Sequence, residues 1–225
     1  MGRGNDRLVV MMMSSGATGA GGFPERTEPV ALPEPARAGE VSLEETLVRR
    51  RSLRSYASGD LSLATIGQLA WAAQGISDRA RGFRTVPSAG ATYPLELDLL
   101  IQGVEGLDDG VYRYRPDDHA LQRRIAGGHR ETLCHAAYHQ PALRDAPVAM
   151  GISGVIARTA WRYGERAERY VHMEAGHAAQ NVYLQGVALG VGTVTIGAFD
   201  DGAVSRTLQL ADGEVPLYLL PLGRQ

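Results

Sequence analysis

Residues 166–199 read RAERYVHMEAGHAAQNVYLQGVALGVGTVTIGAF, and this stretch decides the class of fold. Residues 166–189 form the longest segment with helical periodicity, and from Met173 onward apolar or small side chains fall on nearly every side, which is typical of a helix inside a core or a subunit interface. After Gly190 the chain changes to β-branched residues, which predict a strand over residues 191–199. A long helix and a buried strand therefore occur in a chain with the length of one domain.

The flanking sequence adds helices and strands without a regular strand–helix–strand alternation. Ser42 and Glu45 form a capping box that begins a helix over 42–50. Apolar and acidic side chains alternate from residue 95 onward, with the two-residue period of a strand, which predicts a strand over 95–101. Further patterns predict helices over 62–75, 130–138, 154–163 and 200–210, strands over 148–153 and 215–222, and a β-hairpin of 110–115 with 120–125. This mixture predicts an α+β fold over residues 41–225.

Residues 1–40 have the composition of a flexible tail. Glycines dominate residues 16–22, and four prolines follow before residue 36. No predicted strand precedes these glycines and no predicted helix follows them, so a phosphate-binding loop is excluded by its context. We interpret residues 1–40 as a Gly/Pro-rich linker outside the folded domain.

Composition excludes several classes of protein. The formal net charge is -2, and every one of the 23 basic residues is arginine. This balance argues against nucleic acid as a partner, because nucleic-acid-binding domains are usually basic overall. No apolar run approaches the roughly 20 residues needed to cross a membrane. The single Cys134 excludes an internal disulfide and favours a reducing, cytoplasmic location.

An arginine-rich motif ends the first predicted helix, RRRSLR at residues 49–54. Guanidinium groups can bind a phosphate through two parallel hydrogen bonds, and a serine hydroxyl adds a further donor. Arginines at a helix C-terminus are also favoured by the helix dipole and commonly lie in water. The motif by itself leaves both interpretations open, with the solvated one favoured.

A second motif is the loop RTVPSAGATYP at residues 84–94. Its small residues would let the backbone approach a flat ligand, and its prolines fix the path of the chain. A tight connection that requires glycine explains the same residues equally well.

His172, Glu174 and His177 invite a metal interpretation, which their spacing does not support. The glutamate is not adjacent to the first histidine, and the histidines are five residues apart. Residues five apart on a helix diverge by about 140°, so the two imidazoles would not converge. We predict no metal site.

Five motifs in the same order resemble the nitroreductase superfamily, and within it the SagB-type dehydrogenase branch. They are RRSLRSY at 50–56, PSAGATYPLE at 87–96, YGER at 163–166, EAGHAAQN at 174–181 and PLGR at 221–224. The resemblance extends from about residue 42 to the C-terminus. It implies a central, mostly antiparallel sheet flanked by helices, and a homodimer that binds FMN at its interface.

The resemblance also implies a set of cofactor-binding residues. Those for the FMN phosphate and ribityl chain are Arg50, Arg51, Ser52 and Arg54, with Arg224 reaching the same phosphate from the C-terminal end. The ring system would be covered from the partner subunit by Pro87, Ser88, Ala89 and Gly90. Backbone groups of Thr195, Ile196 and Gly197 would line the side of the ring that carries N5.

One departure from the branch concerns proton transfer. Relatives that oxidise azolines in ribosomal peptides carry a Lys-Tyr pair, whereas this chain has no lysine and places Arg162 and Tyr163 at that position. Arginine stays protonated near neutral pH and cannot act as a base. Tyr163 is therefore the candidate proton-handling residue, with Arg162 as a cation that favours its ionised form or orients a substrate carboxylate.

Three functions remain open from the sequence. The first is an FMN-dependent oxidoreductase acting on a modified peptide, a small natural product, or a quinone or nitro compound, with NADH or NADPH as an electron donor. The second is a flavin-fold subunit of a biosynthetic complex without turnover of its own. An arginine-rich nucleic-acid module is the least favoured.

Overall fold

The computed structural model describes Met1 and residues 28–225. The strands are β1 (Val30–Ala31), β2 (Ile76–Asp78), β3 (Phe83–Arg84), β4 (Leu95–Ile101), β5 (Gly110–Arg115), β6 (Ala120–Ala126), β7 (Val148–Val155), β8 (Val191–Thr193) and β9 (Glu214–Arg224). The helices are α1 (Leu43–Arg49), α2 (Leu63–Gln74), α3 (Arg130–Ala136), α4 (Pro141–Asp145), α5 (Ala157–Tyr163), α6 (Ala167–Leu189) and α7 (Asp201–Leu208). Single 3₁₀ turns occupy Ala89–Ala91 and Gly164–Arg166.

Seven strands form one antiparallel sheet in the order β1-β6-β5-β4-β7-β9-β8. One face packs against α2 and α6, and the opposite face packs against α3, α4 and α7. The helices thus flank a central sheet, so the predicted α+β architecture is confirmed. Among the described residues, no helix is long and apolar enough to cross a membrane.

The long helix α6 lies where the sequence predicts it. It covers 23 residues, buries Val171, Ala175, Ala178 and Val182 against the sheet, and ends at Gly190 in the left-handed conformation. Half of the capping box predicted for α1 is confirmed, because the Ser42 hydroxyl accepts a hydrogen bond from the backbone N–H of Glu45 at 3.1 Å, whereas the Glu45 carboxylate accepts from Arg49 instead.

The structure corrects two predicted element boundaries. Regular pairing of the strand predicted over 191–199 stops at Thr193; the N–H of Thr195 donates to the Tyr183 hydroxyl, and Ile196 then pairs again with Leu219 of β9 in an isolated bridge. The helix predicted from residue 154 begins at Ala157, because β7 continues to Val155 in register with β9.

The boundary of the folded domain also moves. Residues 2–27, including the glycines at 16–22, lie outside the described residues. Within the remainder of the predicted tail, β1 pairs with β6, Leu32 is buried in the core, and the N–H of Ala36 donates to the Gln68 side chain at 2.8 Å. Residues 30–36, which the sequence analysis assigned to the tail, therefore pack as part of the folded domain.

A charged cluster, named here the Arg113 network, lies on the central sheet. The Arg113 guanidinium donates two hydrogen bonds to Asp98, both at 2.8 Å, and two to Glu214, at 3.0 and 2.7 Å. Glu96 lies 3.3 Å from the same guanidinium. Asp98 is fully buried, so this network connects β4, β5 and β9 through charges removed from water.

Candidate active site

The arginine-rich segment after α1 runs along the edge of the sheet. Ser52 pairs with Thr193 in a parallel bridge, and the N–H of Leu53 donates to the Thr193 carbonyl at 2.8 Å. Farther along, the N–H of Ala57 donates to the carbonyl of Arg224 at 2.9 Å. The two arginine motifs, more than 160 residues apart in sequence, are thereby brought to one edge.

Four arginines at this edge carry uncompensated charge: Arg50, Arg51, Arg54 and Arg224. Among the described residues none of them forms an ion pair with a carboxylate. Arg51 donates instead to main-chain carbonyls at the end of α1, and the guanidinium of Arg50 lies 5.2 Å from the centre of the Tyr183 ring. Cations held without acidic partners favour binding of an anion such as phosphate.

Tyr183 joins the Ser52 segment to the segment after β8 at this edge. The sequence analysis did not identify it as a site residue. It projects from α6 and is nearly buried, at 8 % exposure. Its hydroxyl lies 3.1 Å from the Ser52 hydroxyl and accepts a hydrogen bond from the N–H of Thr195 at 2.9 Å. A tyrosine within an apolar helix is a weak signal, because such residues are also common as core side chains.

The segment after β8 offers fewer free backbone donors than the resemblance implies. The N–H of Thr195 bonds to Tyr183, and that of Ile196 bonds to the carbonyl of Leu219 at 2.8 Å. Within the described part of the chain, the N–H of Gly197 has no acceptor, and the residue is exposed. Of these three residues, Gly197 is therefore the one with an N–H available to a ligand.

Residues 87–93, which we call the 87–93 loop, have a defined and strained shape. The Ser88 hydroxyl accepts a hydrogen bond from the N–H of Tyr93 at 2.9 Å, and the Thr92 and Thr159 hydroxyls lie 2.8 Å apart. Gly90, Ala91 and Tyr93 have φ of 63°, 53° and 44°, which is uncommon for the two non-glycine residues. Pro87 and Gly90 are exposed, and Ser88 and Ala89 are half-buried.

The 87–93 loop lies directly against Arg162 and Tyr163. A Cβ atom on Gly90 would come within 2.8 Å of the Tyr163 hydroxyl and 3.0 Å of Cδ of Arg162. Arg162 also donates to the Gly90 carbonyl at 3.5 Å, and its guanidinium lies 5.7 Å from the Tyr163 ring. Tyr170 packs edge-on against Tyr163, with ring centroids 5.1 Å apart. Glycine is thus required where the loop meets the candidate proton-handling pair.

The predicted site residues form two groups. The first, the edge group, contains Arg50, Ser52, Thr195 and Arg224. The second group contains the 87–93 loop together with Arg162 and Tyr163. In the part of the chain that the structure describes, no hydrogen bond or ion pair connects the groups.

Glu174 is a further polar residue beside the second group. It is 3 % exposed, and burial raises its pKa to about 7 despite the charge of Arg84, which lowers it. Neighbouring His172 and His177 are exposed, and no cluster of three metal-ligating side chains occurs among Met1 and residues 28–225. The only sign of Glu174 in the sequence was that it is an acidic residue within an otherwise apolar stretch of predicted helix.

The profile of the Nitroreductase family matches residues 47–224, which include both groups. The chain belongs to the nitroreductase family. MJ1384 of Methanocaldococcus jannaschii, a protein named for the same family, is 45% identical over 186 residues, covering 83% of this chain and 92% of that protein. A solved structure from Ralstonia eutropha, also named for the family, has 27% identity and a TM-score of 0.78, covering 90% of this chain and 91% of the other.

A further relative of this nitroreductase is the microcin B17-processing protein McbC of Escherichia coli. It is 27% identical over 165 residues, and the match covers 67% of this chain and 57% of McbC. The chain therefore spans little more than half the length of McbC. A chain of the E. coli microcin synthetase McbBCD complex with truncated pro-MccB17 bound has the same fold, with a TM-score of 0.70 at 24% identity and coverage of 89% and 79%.

Nitroreductases are typically flavin-dependent, and the residues of this chain fit such a cofactor. The edge group supplies unpaired guanidinium groups suited to a phosphate. The buried Thr193 hydroxyl beside Ser52 has no hydrogen-bond partner in the described residues. The small side chains of the partly exposed 87–93 loop let its backbone approach a flat ring.

Proposed function

We propose that the chain is an FMN-dependent oxidoreductase of the SagB dehydrogenase type, acting on a peptide-derived or small natural-product substrate. The observation that carries the proposal is the convergence of Arg50, Arg51, Arg54 and Arg224 at one sheet edge without carboxylate partners. A dianionic phosphate is the anion that this set of donors matches best.

Each group of residues has a separate task in this proposal. The edge arginines and Ser52 bind the phosphate and ribityl chain, while the segment from Thr195 to Gly197 lies along the ring. Pro87, Ser88, Ala89 and Gly90 cover the ring of the partner subunit's cofactor. FMN supplies hydride transfer at its N5 atom when it is bound.

The SagB assignment rests on the second group and on the likeness to McbC. Arg162 and Tyr163 occupy the position of the Lys-Tyr pair, and both lie against Gly90. Tyr163 handles the substrate proton, and Arg162 holds a positive charge beside it. Substitution of arginine for lysine weakens the case for azoline oxidation, since the cation cannot become a base.

The first experiment is purification followed by denaturation and release of bound flavin. A yellow protein that releases FMN supports the proposal, and a colourless protein that binds no added FMN contradicts it. Anaerobic NADH or NADPH is then added, and bleaching indicates turnover with a nicotinamide donor. Reduction of nitro compounds or quinones alone would favour an NAD(P)H-dependent nitro/quinone reductase, and bound FMN without any turnover would favour a non-catalytic partner subunit.

Loss of an edge arginine is expected to weaken FMN binding. A hydrogen bond to a charged group contributes about 1.5–3 kcal/mol, so Arg54→Ala and Arg224→Ala should each raise the Kd for FMN about 10- to 100-fold. Fluorescence titration of flavin-free protein measures this. Arg49→Ala is the matched control, because Arg49 already pairs with Glu45 at 2.7 Å. Unchanged Kd in both edge variants would contradict the phosphate assignment.

We also expect a homodimer, in which one chain's 87–93 loop completes the other chain's cofactor site. Leu43, Leu47 and Val48 form an apolar face of α1 that is 60%, 51% and 72% exposed. Obligate interfaces bury more than about 2,000 Å² and resemble a domain core. Sedimentation velocity at micromolar concentration should show a dimer, and Val48→Glu should shift it towards monomer.

Tyr138→Glu serves as the control for the dimer experiment. Tyr138 is an exposed aromatic residue that follows α3, on the opposite face of the sheet from α1. This variant should remain a dimer with its flavin bound. A stable, flavin-loaded monomer of the unmodified chain would contradict the expectation.

A further inference from the structure

Thr159 is a buried polar residue that the proposed chemistry does not use. It lies in the first turn of α5 and is 1 % exposed. Within the described residues its hydroxyl has one hydrogen-bond partner, the hydroxyl of Thr92 at 2.8 Å. A buried hydroxyl costs folding free energy unless it is hydrogen-bonded, so this contact determines what Thr159 does in the fold.

The direction of this hydrogen bond follows from the number of protons available. The Thr92 hydroxyl has one proton, which it donates to the carbonyl of Ala89 at 3.0 Å. Thr92 therefore accepts from Thr159, and the two hydroxyls form a chain from α5 to the Ala89 carbonyl. The same carbonyl accepts the N–H of Thr92 at 3.3 Å, which closes the 3₁₀ turn of the 87–93 loop.

The turn that this chain holds is the strained part of the loop. Gly90 and Ala91 lie inside it with φ of 63° and 53°, and Tyr93 follows with 44°. For residues other than glycine, such angles cost free energy and persist only where surrounding contacts maintain them. The hydroxyl of Thr159 therefore reaches the part of the loop whose shape needs support from outside it.

Thr159 makes the shortest of the hydrogen bonds that the structure describes between α5 and this loop. Two exposed arginines of α5, Arg158 and Arg162, donate to main-chain carbonyls of the loop at 3.4 and 3.5 Å. Thr159 itself is excluded from water, where a hydrogen bond is electrostatically stronger. Arg162 and Tyr163 follow Thr159 by three and four residues, so the three side chains share the face of α5 that meets the loop.

We propose that Thr159 is a positioning residue, which fixes the 3₁₀ turn of the 87–93 loop against α5 and thereby sets the affinity of the site for the flavin ring. This inference rests on the proposed function, since the loop is the part of the chain assigned to cover the ring of the partner subunit's cofactor. Because Thr159 acts on the loop and not on the phosphate site, its loss should weaken binding of a flavin equally with or without a phosphate.

Riboflavin is the probe for the ring, because it lacks the phosphate of FMN. Thr159→Val keeps the size and branching of the side chain but removes the donor. We expect it to raise the Kd for riboflavin and for FMN by the same factor, about 2- to 10-fold, in fluorescence titrations of flavin-free protein. Thr159→Ser keeps the donor and should bind riboflavin as the unmodified protein does. Arg54→Ala is the comparison at the phosphate site, since it should raise the Kd for FMN alone.

Thr92→Val tests the same hydrogen bond from the loop side. Because this substitution removes the acceptor of Thr159, adding Thr159→Val to it should raise the Kd for riboflavin no further. Thr207→Val is the matched control, because Thr207 is a buried threonine whose hydroxyl donates to a carbonyl within α7, on the face of the sheet away from α6. This control should leave the Kd values for riboflavin and FMN unchanged.

Three results would overturn the inference. The first is an unchanged Kd for riboflavin in Thr159→Val. The second is the same loss of affinity in Thr159→Ser as in Thr159→Val, since the serine keeps the hydroxyl. The third is a further, additive loss in the double variant. Should Thr159→Val fail to fold, an unchanged Kd for riboflavin in Thr92→Val overturns the inference in its place.

Hydrogen exchange in the flavin-free protein supplies a readout that does not depend on the cofactor. The amide of Thr92 should exchange several-fold faster in Thr159→Val than in either the unmodified protein or Thr159→Ser, because this amide closes the turn. Equal exchange in all three proteins would overturn the positioning role. If the unmodified protein binds neither FMN nor riboflavin, the proposed function fails, whereas the exchange result still decides whether Thr159 holds the loop.

Discussion

Replacing Tyr163 by phenylalanine is expected to slow the substrate step that removes a proton by about 10²- to 10⁴-fold, the usual contribution of general acid–base catalysis. The hydroxyl that this variant deletes faces Gly90 at the meeting point of the 87–93 loop and α5. FMN content and bleaching by NAD(P)H should be unchanged, because neither depends on this hydroxyl. Anaerobic single-turnover kinetics with a thiazoline-containing peptide would measure the step.

Quinone reduction provides the internal comparison for this variant. Solvent can supply protons to a quinone, so Tyr163→Phe should barely change that rate. Tyr170→Phe is the matched control, because Tyr170 packs against Tyr163 through its ring and should retain both activities. Equal losses on peptide and quinone would mean that Tyr163 supports the fold rather than proton transfer.

Replacing Arg113 by methionine is expected to lower the free energy of unfolding by about 3–5 kcal/mol, because it removes the cation that hydrogen-bonds to two buried carboxylates. Asp98 is fully buried and Glu214 nearly so, and each receives two hydrogen bonds from Arg113. Urea unfolding at fixed protein concentration would measure the loss. Since folded domains are stable by only about 5–15 kcal/mol, this single change should be readily seen.

The loss of stability should also depend on pH. Burial raises the pKa of Asp98 to about 6 even with Arg113 present. For Glu214 burial acts in the same direction, but the Arg113 hydrogen bonds outweigh it and lower the pKa. Without Arg113 both values should rise, so the variant should lose most stability above neutral pH and recover part of it as the carboxyls gain protons.

Arg115→Met is the control for Arg113. Arg115 lies on the same strand, but its ion pair with Asp118 is about half exposed. Exposed pairs contribute at most about 1 kcal/mol, so this variant should unfold nearly as the unmodified protein does. A similarly small loss in Arg113→Met would contradict the importance of the Arg113 network.

Local patterns were sufficient to predict most elements of the fold. The apolar helix at 166–189, the Ser42 cap and the β-hairpin appear where their periodicity and capping residues placed them. Boundaries that depend on distant partners were predicted less well. The N-terminal boundary depends on the pairing of β1 with β6, which is not a local property of the chain.

The sequence alone determined the residue types of the site, namely arginines with a serine, a loop rich in small residues, and an Arg-Tyr pair. These types fix which chemistry is possible, because charge, hydrogen-bonding capacity and backbone freedom belong to each residue. Only the tertiary structure decided which of them meet. It placed Arg224 beside the segment from Arg50 to Arg54, made Gly197 the residue of its segment with a free N–H among the described residues, and buried Glu174. Burial and long-range pairing arise from packing of the whole chain, so they determine which groups lose water, which shift in pKa and which remain available to a ligand.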